Sequence, residues 1–157
     1  MRLVNGRGQL GEALARLDVP SDAIVYHTWN CTDKSEAAQR ACYDRFLAFR
    51  EANPGRLVFI STSTENDSPY LTYKRKAEPF ADGVVRLPTL IGRGICERMR
   101  DDPMVDIWGV MELLSVTHAA LDVVDYINAE RTDVLSVRGT MVPASLVAEL
   151  IRFGAAR

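Results

Sequence analysis

Two side chains near the middle of the chain have the types and spacing for proton transfer. In Tyr70-Leu71-Thr72-Tyr73-Lys74, Tyr70 and Lys74 are four residues apart, which puts both on one face of a helix. A phenol is a poor acid or base near neutrality, because its ordinary pKa is about 10. A nearby ammonium favours the phenolate and lowers that value, so the pair can pass a proton to and from a substrate oxygen. A hydroxyl from Ser61-Thr62-Ser63, at the end of the preceding strand, can hold the same oxygen. The spacing also fits a solvated helix face on which Lys74, Arg75 and Lys76 are surface charge.

A second constellation opens the chain. Gly6-Arg7-Gly8-Gln9-Leu10-Gly11 fits G-x-G-x-x-G and falls between the first apolar run and the first helical period, the context in which such a turn binds a diphosphate. Glycines let the backbone turn tightly and approach phosphate closely, and a helix start presents free N–H groups. The tight turn without a ligand is the alternative. An acidic residue about 20 positions on is expected to hold the adenosine ribose. Asp33, 22 residues past Gly11, is a candidate for that role. It also fits the N-cap of the next helix, and the cap is the preferred reading. Arg7 either meets a ribose 2′-phosphate or is an exposed loop arginine, the latter preferred.

The elements that must position these groups alternate. Strands are predicted at Arg2–Asn5, Ala23–Trp29, Leu57–Thr62, Val84–Leu87, within Ile107–Val116 and at Val134–Val137. Helices are predicted at Gln9–Leu17, Lys34–Ala52, Tyr70–Glu78, Thr117–Ala129 and Pro143–Phe153, with a charged, helical stretch at Ile95–Asp102. Asp33 and Glu36 read as a capping box. Alternation of this kind implies an α/β fold with a parallel sheet covered on both faces and right-handed crossovers. The 157 residues suit a single domain, 1–157.

In this order of pieces the chain resembles the short-chain dehydrogenase/reductase superfamily, in its extended epimerase/dehydratase branch. Gly8-Gln9-Leu10-Gly11-Glu12-Ala13-Leu14 is similar to the start of dTDP-4-dehydrorhamnose reductases. Val58-Phe59-Ile60-Ser61-Thr62 is similar to the strand carrying the family's catalytic Ser or Thr. Ser68–Glu78 resembles the active-site helix, and Val85–Gly94 the strand and loop near the nicotinamide. The resemblance implies that Tyr70 is the acid/base and that Lys74 holds the nicotinamide ribose and tunes Tyr70. It implies that Thr62 orients the substrate oxygen, with Ser61 and Ser63 as fallbacks. Gly6, Arg7, Gly8, Gln9, Leu10 and Gly11 would form the cofactor cradle, with Pro88 packing beside the nicotinamide. The implied cofactor is NAD or NADP, and the implied substrate a sugar nucleotide or another small carbonyl compound. Helices 34–52 and 70–78 resemble those through which family members dimerise.

The chain departs from the family in length. Only Asp18–Ala23 separates the first helix from Ile24-Val25-Tyr26-His27, which looks like the family's fourth strand. The expected fold is therefore a Rossmann-like parallel sheet of about five to six strands with helices on both faces, lacking the usual second and third strands, whose adenosine half-site would be absent. Two functions follow. One is a miniature NAD(P)-dependent oxidoreductase or epimerase. The other is a non-redox descendant, either a binding or scaffolding protein or a cofactor-independent acid/base enzyme.

Composition narrows the partners. Nineteen Lys and Arg against 21 Asp and Glu leave a net charge of −2, unlike the basic balance of a nucleic-acid binder. No apolar run reaches the roughly 18–20 residues of a membrane span. Cys31, Cys42 and Cys96 show no metal-ligand pairing, which fits a reducing, cytoplasmic location, and His27 and His118 are too far apart in sequence to suggest a metal. Trp29, Trp108 and Cys42 read as packing residues, and Glu65 and Asp67 as loop carboxylates or aids to a dehydratase-like step.

Overall fold

Every residue of Leu57–Thr62 is buried, as expected for a strand in the middle of a parallel sheet covered on both faces. That strand is β3 of a computed structural model, which describes residues 1–4, 7–91 and 110–155. The elements are β1 (Arg2–Val4), α1 (Gln9–Ala15), β2 (Ile24–Tyr26), α2 (Glu36–Ala52), β3, α3 (Pro69–Ala77), β4 (Gly83–Leu87), β5 (Thr89–Ile91), β6 (Val110–Ser115), α4 (Val116–Asn128), β7 (Val134–Ser136), β8 (Thr140–Pro143) and α5 (Ala144–Ala155). Gly6, Cys96, Trp108 and the predicted helix Ile95–Asp102 lie outside the described residues.

The main sheet has the order β1-β2-β3-β4-β7 and every pairing in it is parallel. Alternation sends Val25, Val58, Ile60, Val85 and Leu87 to one face, where they meet Leu10 and Leu14 of α1 and Ala119, Ala120 and Val123 of α4. Ile24, Tyr26, Leu57 and Phe59 point to the other face, against Cys42 and Phe46 of α2 and Tyr73 and Ala77 of α3. The five parallel strands and two helical layers are the expected architecture, with β2 directly beside β1.

Three expectations change. First, the crossovers cannot all share one hand. Each connection steps in the same direction across the sheet, yet α1 and α4 cover one face and α2 and α3 the other. The α1 connection is therefore of opposite hand to the α2 and α3 connections, against the usual uniformity. Second, β5, β6 and β8 form a separate sheet, with β5 parallel and β8 antiparallel to β6. Pro143 closes β8 rather than opening the last helix. Third, Ser35 caps α2, its Oγ accepting from Ala38 N at 3.3 Å. Asp33 instead accepts from Ser35 N at 2.9 Å, an Asx-type turn that precedes the cap, and Glu36 accepts from the Tyr73 hydroxyl at 2.6 Å. No described helix is long and apolar enough to cross a membrane.

Candidate functional site

Because the strands are parallel, the segments that follow β1, β2, β3 and β4 all emerge at one edge of the sheet. These are the glycine turn, the loop of residues 27–35, the polar loop of residues 63–68 and Pro88. Helix α3 begins at that edge. Ser68 is its N-cap, accepting from Leu71 N at 3.3 Å, and Pro69 takes the first turn, where its missing N–H costs nothing. Tyr70 thus stands at the mouth of the sheet and Lys74 one turn deeper.

Lys74 is 6% exposed, so the solvated-face reading fails. Its Nζ donates to Ile60 O at 3.2 Å and lies 5.2 Å from the centroid of the Tyr70 ring, 5.8 Å from that of Phe59 and 6.0 Å from that of Trp29. An ammonium has three N–H donors, of which one has an acceptor among the described residues. Burial disfavours the charged form and pulls the Lys74 pKa from 10.5 down to about 8, against the opposing pull of Cys31 and Glu78.

Tyr70 departs from the sequence expectation in its titration. The ammonium of Lys74 lies against the ring, while the phenol oxygen is 4.0 Å from Cys31 Sγ. Burial first, and then the Cys31 thiol, push the Tyr70 pKa above its ordinary value. The phenol is thereby held neutral, as a donor. Lys34 adds a second ammonium 5.7 Å from the ring centroid. Cys31 is exposed and its loop is fixed from within. Fully buried Gln39 accepts from Trp29 Nε1 at 2.8 Å and donates to Asn30 O at 3.0 Å and to Asp33 O. Neither Cys31 nor Gln39 carries a sequence signal for these roles, since their partners are joined only by the fold.

The hydroxyls at the end of β3 differ in availability. Thr62 Oγ1 donates to Thr64 Oγ1 at 3.1 Å and accepts Thr64 N–H at 3.2 Å, closing a local turn. Ser63 Oγ is buried without a hydrogen-bond partner. Ser63 also lines a cavity of about 500 Å³ together with Glu65, Pro88, Glu112 and Arg138, whereas neither Thr62, Tyr70 nor Lys74 is among the described lining. Pro88 and the β3 loop therefore share a cavity. His27 sits beside the pair; burial, and then the Lys74 charge, lower its pKa, and its Nε2 has no partner.

At the other end of the edge, Gly8 caps α1 with φ +93°, in the region that favours glycine, and a Cβ there would meet nothing within 4 Å. Backbone conformation, and not crowding, is what calls for glycine here. Arg7 is exposed, and Leu10 and Gly11 are buried within α1. Gln9 Nε2 donates to Leu90 O at 3.4 Å, linking the glycine turn to β5 after Pro88. Asp33, the alternative ribose ligand, is exposed and accepts from Ser35 N through Oδ1. Ser35 also holds the Asp33 carboxyl below its ordinary pKa.

No family model and no curated protein matches the sequence. Solved structures do. A hypothetical dTDP-4-dehydrorhamnose reductase from Sulfolobus tokodaii superposes with a TM-score of 0.71 at 16% identity, covering 98% of this chain and 82% of that one. The Bordetella bronchiseptica enzyme WbmH, in complex with NAD+, gives 0.74 at 14% identity, covering 99% and 80%. A Thermus thermophilus UDP-glucose 4-epimerase, in complex with NAD, gives 0.65 at 13%, covering 98% and 68%. The fold is the one these reductase and epimerase structures share. Helix α3, Pro69–Ala77, falls within the segment Ser68–Glu78 singled out in the sequence.

Proposed function

We propose that the chain is a shortened NAD(P)-dependent oxidoreductase or epimerase-like enzyme that acts on a sugar nucleotide or another small carbonyl compound, with Tyr70 and Lys74 as its acid/base pair. The observation that carries this reading is Lys74: a buried ammonium with one described hydrogen-bond acceptor, one helical turn from a half-buried phenol. An unpaired buried charge is costly, and such costs concentrate where a ligand completes the site. Structural neighbours solved with NAD support the choice of cofactor.

The residues present fit the nicotinamide side of that cofactor. The N–H groups of Lys74 would take the ribose hydroxyls, Pro88 would flank the ring, and Gly8, Gln9, Leu10 and Gly11, with Gly6 and Arg7, would meet the diphosphate. When bound, the nicotinamide supplies or accepts the hydride. Tyr70, held neutral by its surroundings, donates its proton to the substrate oxygen as negative charge develops there, and Lys74 offsets the charge left on the phenolate. Thr62 would hold the same oxygen, with Ser63, whose hydroxyl has no described partner, as the fallback. Glu65, Glu112 and Arg138 give the cavity two carboxylates and one guanidinium for a polar substrate.

As part of this reading the chain is a cytoplasmic homodimer joined through α2 and α3, near which Phe80 is 46% exposed beside Tyr43. The free thiols Cys31 and Cys42 suit a reducing compartment. The test of the cofactor is direct. NADH and NADPH are titrated against the protein while the emission of Trp29 and of the reduced nicotinamide is followed. Saturable binding is expected, weakened in Lys74→Met. No saturation by millimolar cofactor overturns the reading.

A further inference from the structure

The order β1-β2-β3-β4-β7 never reverses. A dinucleotide site is built from two mononucleotide-binding halves that meet where strand order reverses, and this sheet contains one. The strand that would start the other half has no room. Eight residues, 16–23, separate α1 from β2, whereas even one strand–helix–strand crossover takes at least about 10–12. Those residues are also committed elsewhere. Val19 and Ala23 are buried in the core. Val19 O accepts from the Met1 amino group at 2.7 Å, as does Ser21 O, and Ala23 O accepts from Arg2 N at 2.9 Å. They pack at the amino end of β1, away from the edge where Tyr70 stands. β2 fills the position beside β1 on one side, in the register Leu3↔Val25, and the other edge of β1 has no strand partner among the described residues.

We infer that this site recognises a single mononucleotide half, the nicotinamide half, and that the adenosine of NAD(P) gains nothing from the chain. The inference rests on the proposed function and refines its ligand. The two residues best suited to an adenosine ribose do not oppose it: Asp33 is held by Ser35 N, and Arg7 is exposed.

The experiment compares reduced nicotinamide mononucleotide, NADH and AMP on the full chain, by calorimetry and by the emission of Trp29, whose ring lies 6.0 Å from Lys74 Nζ. Reduced nicotinamide mononucleotide and NADH are expected to bind within about fivefold of each other, with AMP displacing neither. A larger preference for NADH, or displacement by AMP, overturns the inference and leaves the oxidoreductase reading standing. Failure of both reduced nucleotides to bind overturns the inference together with that reading.

Discussion

Replacing Lys74 by Met keeps most of the side chain's length while removing a buried charge, and the outcome can be worked from the site. The depression of the Lys74 pKa from 10.5 to about 8 corresponds to about 3 kcal/mol spent against folding near pH 7, at about 1.4 kcal/mol per unit. That figure is already net of the contacts the ammonium makes with Trp29, Phe59, Tyr70 and Ile60 O. Lys74→Met should therefore be no less stable than the parent near neutrality, although a side chain at the heart of the site has been lost. The decisive measurement is the pH dependence. With the folded pKa below the unfolded one, the unfolded chain binds more protons between the two values. Stability of the parent therefore rises with pH through that window, and the Met variant lacks this contribution. Urea unfolding of both proteins at matched pH gives the difference, in which titrations common to both cancel. Between about pH 7 and about pH 10 the parent should gain about 2 kcal/mol on the variant. A difference that stays flat, or moves against the parent, would refute a buried ammonium at position 74 and with it the physical basis of the site.

Tyr70→Phe should lower turnover by at least about a hundredfold and change stability by less than about 1 kcal/mol, because the hydroxyl's described partner is the distant Cys31 sulfur; an unchanged rate in steady-state assay excludes Tyr70 as proton carrier. Glu78 accepts from Arg86 at 3.0 and 2.6 Å and from Arg75 at 2.6 Å. Burial raises its pKa, but these bonds outweigh it and leave the carboxyl below its ordinary value. Its stabilisation is thus present above the unfolded pKa and lost as pH falls through the folded one. Glu78→Gln should cost about 2 kcal/mol near neutrality and flatten the acid limb of a thermal-melting profile, and a parallel shift at all pH values would count against this. Gly139→Ala would drive a Cβ into the Leu113 carbonyl, backbone that cannot yield. A loss of about 2 kcal/mol or more is expected in urea unfolding, with disturbance of the cavity wall at Arg138. Finally, a thiol reagent applied to the native protein should label Cys31 ahead of buried Cys42, by peptide mapping, and labelling should slow when a reduced nicotinamide nucleotide is bound.

Much of the frame was legible along the chain. The β-rich run Leu57–Thr62, apolar through Ile60, the helical periods of α2 and α4 and the Ser68-Pro69 start of α3 are local signals, and the corresponding elements form close to where those signals put them. The short interval Asp18–Ala23 pointed to a sheet without the usual second and third strands. Local signals failed where a neighbour from afar made the decision. β5 and β8, at three and four residues, are too short to carry a period, and they exist because β6 pairs with both. The cap at Ser35 displaced the one read at Asp33 because two polar residues two positions apart offer the backbone equivalent bonds, and sequence spacing does not choose between them.

The sequence by itself determined that the chain is α/β, that a glycine turn opens it, and that Tyr70 and Lys74 share a helix face, because turn chemistry and a 3.6-residue period act between near neighbours. Only the tertiary structure decided that Lys74 is buried among Phe59 and Trp29, that the Tyr70 hydroxyl looks toward Cys31, and that β1 is the end strand of the sheet among the described residues. Burial, electrostatic environment and strand order are set by residues tens of positions apart, and their energies arise only when the sheet and its two helical layers come together.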